Sequence, residues 1–172
     1  SGNTTMSLSK GSWNGANTGK LNATLTNGTA WTGDSSGAGS TIKLDASTWN
    51  GANGGANAVI KLTDSSWTGD NSGAGVTITA NNSKWNGSAN AAGSAALTNG
   101  SIWTGASTSA DFNLTLNGST WNNSGASSLK SFSGTNGVVD MTNAAASVTI
   151  GSYSGDATVI YKHNSSNPAE VY

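Results

Sequence analysis

With 172 residues, 24 of them glycine and only 9% charged, the chain lacks the composition of an ordinary globule. Its net charge of −1 gives no electrostatic reason to expect nucleic acid or an anionic membrane as partner. The absence of cysteine excludes a disulfide framework and any thiolate metal site. A polar, glycine-rich chain would read as disordered linker, but seven tryptophans bring far more apolar area than a linker carries.

The chain opens in mid-pattern, with Met6 and Leu8 alternating before the first tryptophan, and no signal peptide is recognisable from Ser1. We therefore expect a piece of a longer protein. Trp13, Trp31, Trp49, Trp67, Trp85, Trp103 and Trp121 follow with a constant 18-residue spacing. Chance does not give six identical spacings, so the unit is a repeat. Two residues after each tryptophan stand Gly15, Gly33, Gly51, Gly69, Gly87 and Gly105, with Asn123 in the last copy. Glycine and asparagine tolerate left-handed backbone, so this column predicts a tight corner once per coil. Two residues before the tryptophan lie Gly11, Thr29, Ser47, Ser65, Ser83, Ser101 and Ser119, small enough for a packed corner.

Between the glycine-rich arc and the next tryptophan the residues alternate, as in Ile42-Lys43-Leu44, Ile60-Lys61-Leu62 and Phe112-Asn113-Leu114-Thr115-Leu116. Period two marks a strand with one buried face. Ile42, Ile60, Ile78, Leu114 and Phe132 each stand eleven positions after a tryptophan and form an inward column. Leu25 and Leu97 sit six residues before the next tryptophan, where Leu44 and Leu62 sit five before. Those two coils are expected to trade one residue between corners, with local bulges. After Trp121 the coils enlarge: 131–143 aligns with 152–164 at a 21-residue offset, with Val139 and then Ile160 expected in the tryptophan column.

An 18-residue unit with one clear strand cannot bury its own apolar face, and stacking copies solves this. The expected fold is all-β: a single-stranded parallel β-helix, or β-solenoid, of about nine 18-residue coils, enlarging to about 21 near the C-terminal end. At roughly 4.8 Å per strand, nine coils make a rod about 40 Å long. The whole of 1–172 reads as one solenoid segment: 10–135 regular tryptophan repeats, 136–164 enlarged coils, and 165–172 a polar tail leading onward. Helical repeats are excluded by the missing 3.6-residue period.

The tryptophan column could point inward as a stacked ladder or outward as a sugar-binding stripe. The inward reading is preferred because aliphatic Val139 and Ile160 replace tryptophan in the final coils, and because the preceding residues, from Ser12 to Thr120, share no chemistry. The residue after each tryptophan alternates Asn14, Thr32, Asn50, Thr68, Asn86, Thr104, Asn122, which suggests a duplicated 36-residue pair. A threonine rank suits ice-binding solenoids, but here it is interrupted at every second rung. No catalytic constellation is expected. The acids are scattered: Asp34 and Asp70 lie two coils apart, Asp45 and Asp64 lie near one corner beside Lys43 and Lys61, and lone His163 reads as a loop residue. No catalytic residue, metal site or cofactor is therefore expected.

The stretch Ser119-Thr-Trp121-Asn-Asn-Ser-Gly125-Ala-Ser-Ser-Leu129-Lys-Ser-Phe132 resembles a motif of autotransporter passengers, a tryptophan followed by a short polar turn and Ser-x-Leu-x-x-Leu. The pair of coils in 131–164 resembles those preceding the terminal part of such passengers. The tighter match covers about 119–164, and a looser one the whole chain. The resemblance implies a right-handed helix carried to the surface of a diderm bacterium by a C-terminal β-barrel. A left-handed triangular helix fits 18-residue coils too, but its three hexapeptides per coil are not visible. The expected function is a non-enzymatic stalk or adhesin segment, secreted or on the cell surface, and a glycan- or ice-binding face is the alternative. A β-helix polysaccharide lyase or hydrolase stands third. Expected partners are a host or bacterial surface glycan or protein, or a second copy end to end, with no insertion of this segment into a membrane.

Overall fold

A computed structural model describes residues 3–143 and 145–162. Among them every regular element is a strand, and each coil contributes one longer and one shorter strand. The longer ones are β1 (Thr4–Ser9), β3 (Leu21–Thr26), β5 (Thr41–Asp45), β7 (Val59–Thr63), β9 (Val76–Asn81), β11 (Gly93–Thr98), β13 (Phe112–Asn117), β15 (Ala126–Thr135) and β17 (Ser147–Gly155). The shorter ones are β2 (Ser12–Asn14), β4 (Ala30–Thr32), β6 (Thr48–Asn50), β8 (Ser66–Thr68), β10 (Lys84–Asn86), β12 (Ile102–Gly105), β14 (Thr120–Asn123), β16 (Val138–Met141) and β18 (Thr158–Tyr161). Odd strands stack into one nine-stranded parallel sheet and even strands into another. The chain is thus a β-solenoid of about nine coils. A third side carries only single bridges, running Asn17, Ser35, Asn53, Asn71, Ala89, Ser107.

Register follows the inward columns. Met6, Ala23, Ile42, Ile60, Ile78, Ala95, Leu114 and Phe132 lie directly over one another, as do Leu8, Leu25, Leu44, Leu62, Ala80, Leu97 and Leu116. From Leu21 to Val139 these columns and the tryptophans form one apolar core. Alternating burial along β5 and β7 puts Lys43 and Lys61 outside and Ile42, Leu44, Ile60 and Leu62 inside, as period-two patterning requires.

The second and sixth coils do trade a residue between corners, but no strand bulges there: Leu25 pairs with Leu44, and Leu97 with Ala80 and Leu116. The extra residue sits in the turn, where Asn27-Gly28 and Asn99-Gly100 both take positive φ. An Asn-Gly pair accommodates two consecutive left-handed residues at low steric cost, so the strand ladder is left intact. Alternation slips instead in β15, where Leu129 and Phe132 are both buried with Lys130 and Ser131 between them. At the far end Val139 pairs with Val159, and Ile160 faces outward opposite Asp140. The 21-residue offset of Phe132 and Tyr153 shrinks to 20 because the last turn, Asp156-Ala157, is one residue shorter than Thr135-Asn136-Gly137.

Candidate functional site

The indole column is the most ordered feature of the molecule. Trp13 to Trp121 stack pairwise with ring centroids 4.5 to 5.0 Å apart and planes within 12° of parallel. Parallel strands set this spacing, and it falls within the range where offset aromatic pairs add about 0.5–1.5 kcal/mol each beyond area burial. All except half-buried Trp13 are fully buried. A buried indole N–H needs an acceptor. Each of the six finds the carbonyl 16 residues earlier: Trp31 Nε1 donates to Gly15, Trp49 to Gly33, Trp67 to Gly51, Trp85 to Gly69, Trp103 to Gly87 and Trp121 to Gly105, at 2.8–3.0 Å.

Those acceptors are the glycines expected at a tight corner, and the structure gives them a second role. Gly15, Gly51 and Gly105 do not take positive φ, whereas Gly33, Gly69 and Gly87 do, at 145°, 154° and 159°, so backbone handedness requires glycine at those three. Space requires glycine as well. A Cβ at Gly33, Gly51, Gly69, Gly87 or Gly105 would fall inside contact distance of the carbonyl oxygen of the same column one coil below. At Gly51 and Gly105 it would also crowd the coil's own indole nitrogen, 3.0 and 2.9 Å away. The left-handed corner lies three residues before the tryptophan column, at Lys10, Gly28, Ala46, Asp64, Asn82, Gly100 and Gly118, and at Asn136 before Val139. The Asn-Gly dipeptides at 27–28, 99–100 and 117–118 were its sequence signal.

Two further inward columns are polar. Ser65 Oγ donates to the Thr63 carbonyl at 2.6 Å and accepts the Ser47 N–H at 3.1 Å; Ser83 and Ser101 accept the N–H groups of Ser65 and Ser83 likewise. Buried hydroxyls thus close the corner amides that no strand can reach. On the third side Asn53 Nδ2 donates to Asn71 Oδ1 at 2.8 Å and to the Gly55 carbonyl at 3.3 Å. Asn53 Oδ1 is buried without a partner, because the column above it holds Ser35, whose side chain is shorter. Sequence reasoning missed this asparagine column, although its 18-residue spacing was legible.

The acids stay apart. Asp34 Oδ1 accepts the Ala52 N–H at 2.8 Å and Asp70 Oδ1 the Ser88 N–H at 2.7 Å, so each tethers the following coil. These two carboxylates stand 36 residues apart, but the next alternate coil carries Ala106, so the tether is not repeated there. Asp64 accepts Asn82 Nδ2 at 2.6 Å and lines a shallow groove with Ser47, Ser65 and Lys84 that Asp45 does not enter. Backbone and hydroxyl bonds from Thr142 hold the Asp140 carboxyl below its usual range. Among the described residues no group of three potential metal ligands gathers, and no helix is long and apolar enough to cross a membrane. His163 lies outside the described residues, as do Glu170 and the 165–172 tail.

Outside, the wide sheet presents rows such as Asn22-Thr24-Thr26, Thr77-Thr79-Asn81 and Ser131-Ser133-Thr135, broken by Lys43, Lys61 and Asp45. The narrow sheet presents the alternating Asn14-to-Asn122 column. An apolar cavity of about 270 Å³ opens at the C-terminal end among Trp121, Phe132, Val139, Val148, Ile150, Tyr153, Ala157 and Val159. Comparison with protein-family models, curated proteins and solved structures returns no match.

Proposed function

We propose that the chain is a non-enzymatic structural or adhesive segment, a rigid stalk or adhesin passenger of a secreted or surface-displayed bacterial protein. The observation that carries this reading is the unbroken indole column. Six stacked, hydrogen-bonded tryptophans fill the interior from Trp31 to Trp121, and the acids outside are each engaged singly or stand alone. A catalytic β-helix needs two or three acids converging in one cleft. A stalk needs only repetition, rigidity and a polar exterior. On this reading the helix is right-handed, as in the autotransporter passengers that its sequence resembles, and a C-terminal barrel anchors it to the outer membrane.

Protease shaving and antibody labelling of intact cells expressing the parent chain test the placement. Accessibility from outside is expected, and confinement to the cytosol would overturn it. Purified protein should not turn over polysaccharides; turnover abolished by Asp45→Asn or Asp64→Asn would revive the lyase reading. The partner on this reading is a surface glycan or protein, or a second copy stacking end to end on the exposed Tyr153, Val159 and Tyr161. The hydroxyl rows of the wide sheet favour a second reading, a glycan- or ice-binding face. Glycan-array binding or thermal hysteresis lost on Thr77→Lys with Thr79→Lys would establish that reading, and their absence would remove it.

A further inference from the structure

The sequence holds eight Asn-Gly pairs, a dipeptide whose asparagine is chemically labile because glycine leaves the following amide nitrogen open to attack on the side chain. In seven of them the glycine N–H is held by a carbonyl of a neighbouring coil. At the exposed corners Gly28 donates to Ala46 at 2.7 Å, Gly100 to Gly118 at 2.8 Å and Gly118 to Thr135 at 2.9 Å. On the other arc Gly15, Gly51, Gly54 and Gly87 donate to Thr32, Thr68, Ser35 and Thr104 at 2.8–3.0 Å. Using any of these nitrogens means breaking a rung of the solenoid.

Asn136-Gly137 is the exception. Gly137 occupies the corner column in which Ser47, Ser65 and Ser83 donate their N–H to the hydroxyl of the next coil. The next coil here carries Ala157, because the last turn is one residue shorter, and Ala157 has no hydroxyl. Among the described residues the Gly137 N–H has no acceptor. Asn136 itself is exposed, with φ of 51°.

We propose that Asn136 is the site at which this chain deamidates spontaneously, giving aspartate and isoaspartate at the joint between the regular and the enlarged coils. The Gly137 nitrogen bonds to Asn136 Cγ, the Cγ–Nδ2 bond breaks, and the Gly137 proton leaves with the amide as ammonia. Water then opens the cyclic imide. Cleavage of the new bond to Cγ gives aspartate, and cleavage on the main-chain carbonyl side gives isoaspartate, whose backbone runs through the former side chain. Either product places a carboxylate beside Asp156, whose Oδ1 accepts the Asn136 N–H at 2.7 Å. The two like charges repel. Isoaspartate also lengthens the corner and displaces the Gly137 carbonyl from the Thr158 N–H, 2.8 Å away. Ageing thus loosens the last coil first.

The test is peptide mapping of the folded chain over time at mildly alkaline pH, with a denatured sample alongside. In the folded chain the mass gain of deamidation should accumulate at Asn136 roughly tenfold faster than at Asn27, Asn99 or Asn117, and in denaturant the four rates should converge. Ala157→Ser, which supplies the missing acceptor, should slow the Asn136 reaction several-fold without changing the others. Comparable rates at Asn136 and Asn27 in the folded chain, or an Asn136 rate indifferent to Ala157→Ser, would overturn the proposal.

Discussion

The coils from Trp13 to Trp121 and those after Ala126 use the same two sheets but close their interiors differently. In the first region every coil contributes one indole and one small residue at the corner, and from Trp31 to Trp121 each indole N–H rests on a glycine carbonyl of the coil before. In the second, Val139 and Val159 replace the indole, Asn123 ends the glycine column, and Gly137 and Ala157 end the hydroxyl column. Burial persists at Val139, 2% exposed, and falls only in the last described coil, an edge of the stack, where Val159 is 51% and Tyr161 53% exposed. Repetition of side chain closes the hydrogen bonds of the interior, while an aliphatic residue such as Val139 suffices to keep it dry.

The sharpest way to break this contrast is to remove an indole. Trp67→Ala should cost about 3–5 kcal/mol, as for other large-to-small core changes. Val139→Ala should cost only about 1.5 kcal/mol for the methyl groups removed. Chemical denaturation of the two variants measures both, and equal losses would mean that the two regions are packed alike.

Crowding the acceptor comes next. Gly51→Ala forces a methyl group against the Gly33 carbonyl and the Trp49 nitrogen, and should cost about 3 kcal/mol. Gly11→Ala meets no atom within 4 Å and should change the melting temperature little. If Gly51→Ala melted like Gly11→Ala, close approach could not be why the column is glycine.

Much of this was legible in the sequence. The 18-residue spacing fixed the stacking, and period-two alternation fixed which of Ile42, Lys43 and Leu44 turn inward. The glycine column was located correctly, but backbone handedness explains only Gly33, Gly69 and Gly87; the close approach was missed because the Nε1 bond joins each indole to a glycine outside its own rung of the column. The register of Val159 was missed because a one-residue deletion in a turn leaves no trace in an alignment of the flanking strands. The buried asparagines were passed over because polarity usually marks the surface; here the narrow third side has too little backbone pairing and recruits side-chain amides instead.

That column offers a gain of stability. Ser35→Asn brings an amide N–H within reach of the orphaned Asn53 Oδ1 and should stabilise the chain by about 1 kcal/mol, seen as a raised denaturation midpoint. A lowered midpoint would show that the cross-section at Ser35 is too narrow for the ladder to continue.

The smallest expected effect belongs to the enlarged coils. Asp140 has its pKa lowered in the folded state by Thr142, so it contributes stability above its unfolded pKa, and that contribution is lost as pH falls through the lower folded value. Asp140→Asn should lower stability slightly at neutral pH and leave it unchanged below the folded pKa, so that the acid limb of the stability curve flattens. An acid limb identical to that of the parent chain would remove Asp140 from the account.

Inward-pointing tryptophans, each tied N–H to carbonyl to the coil before it, are what the whole architecture rests on. Hydrogen exchange of the indole Nε1 protons, followed by NMR, addresses this residue by residue. Six signals, from Trp31 to Trp121, should exchange slowly, near the rate of global unfolding, while half-buried Trp13, whose N–H has no acceptor among the described residues, should exchange fast. Seven fast signals would place the column outside and contradict the account.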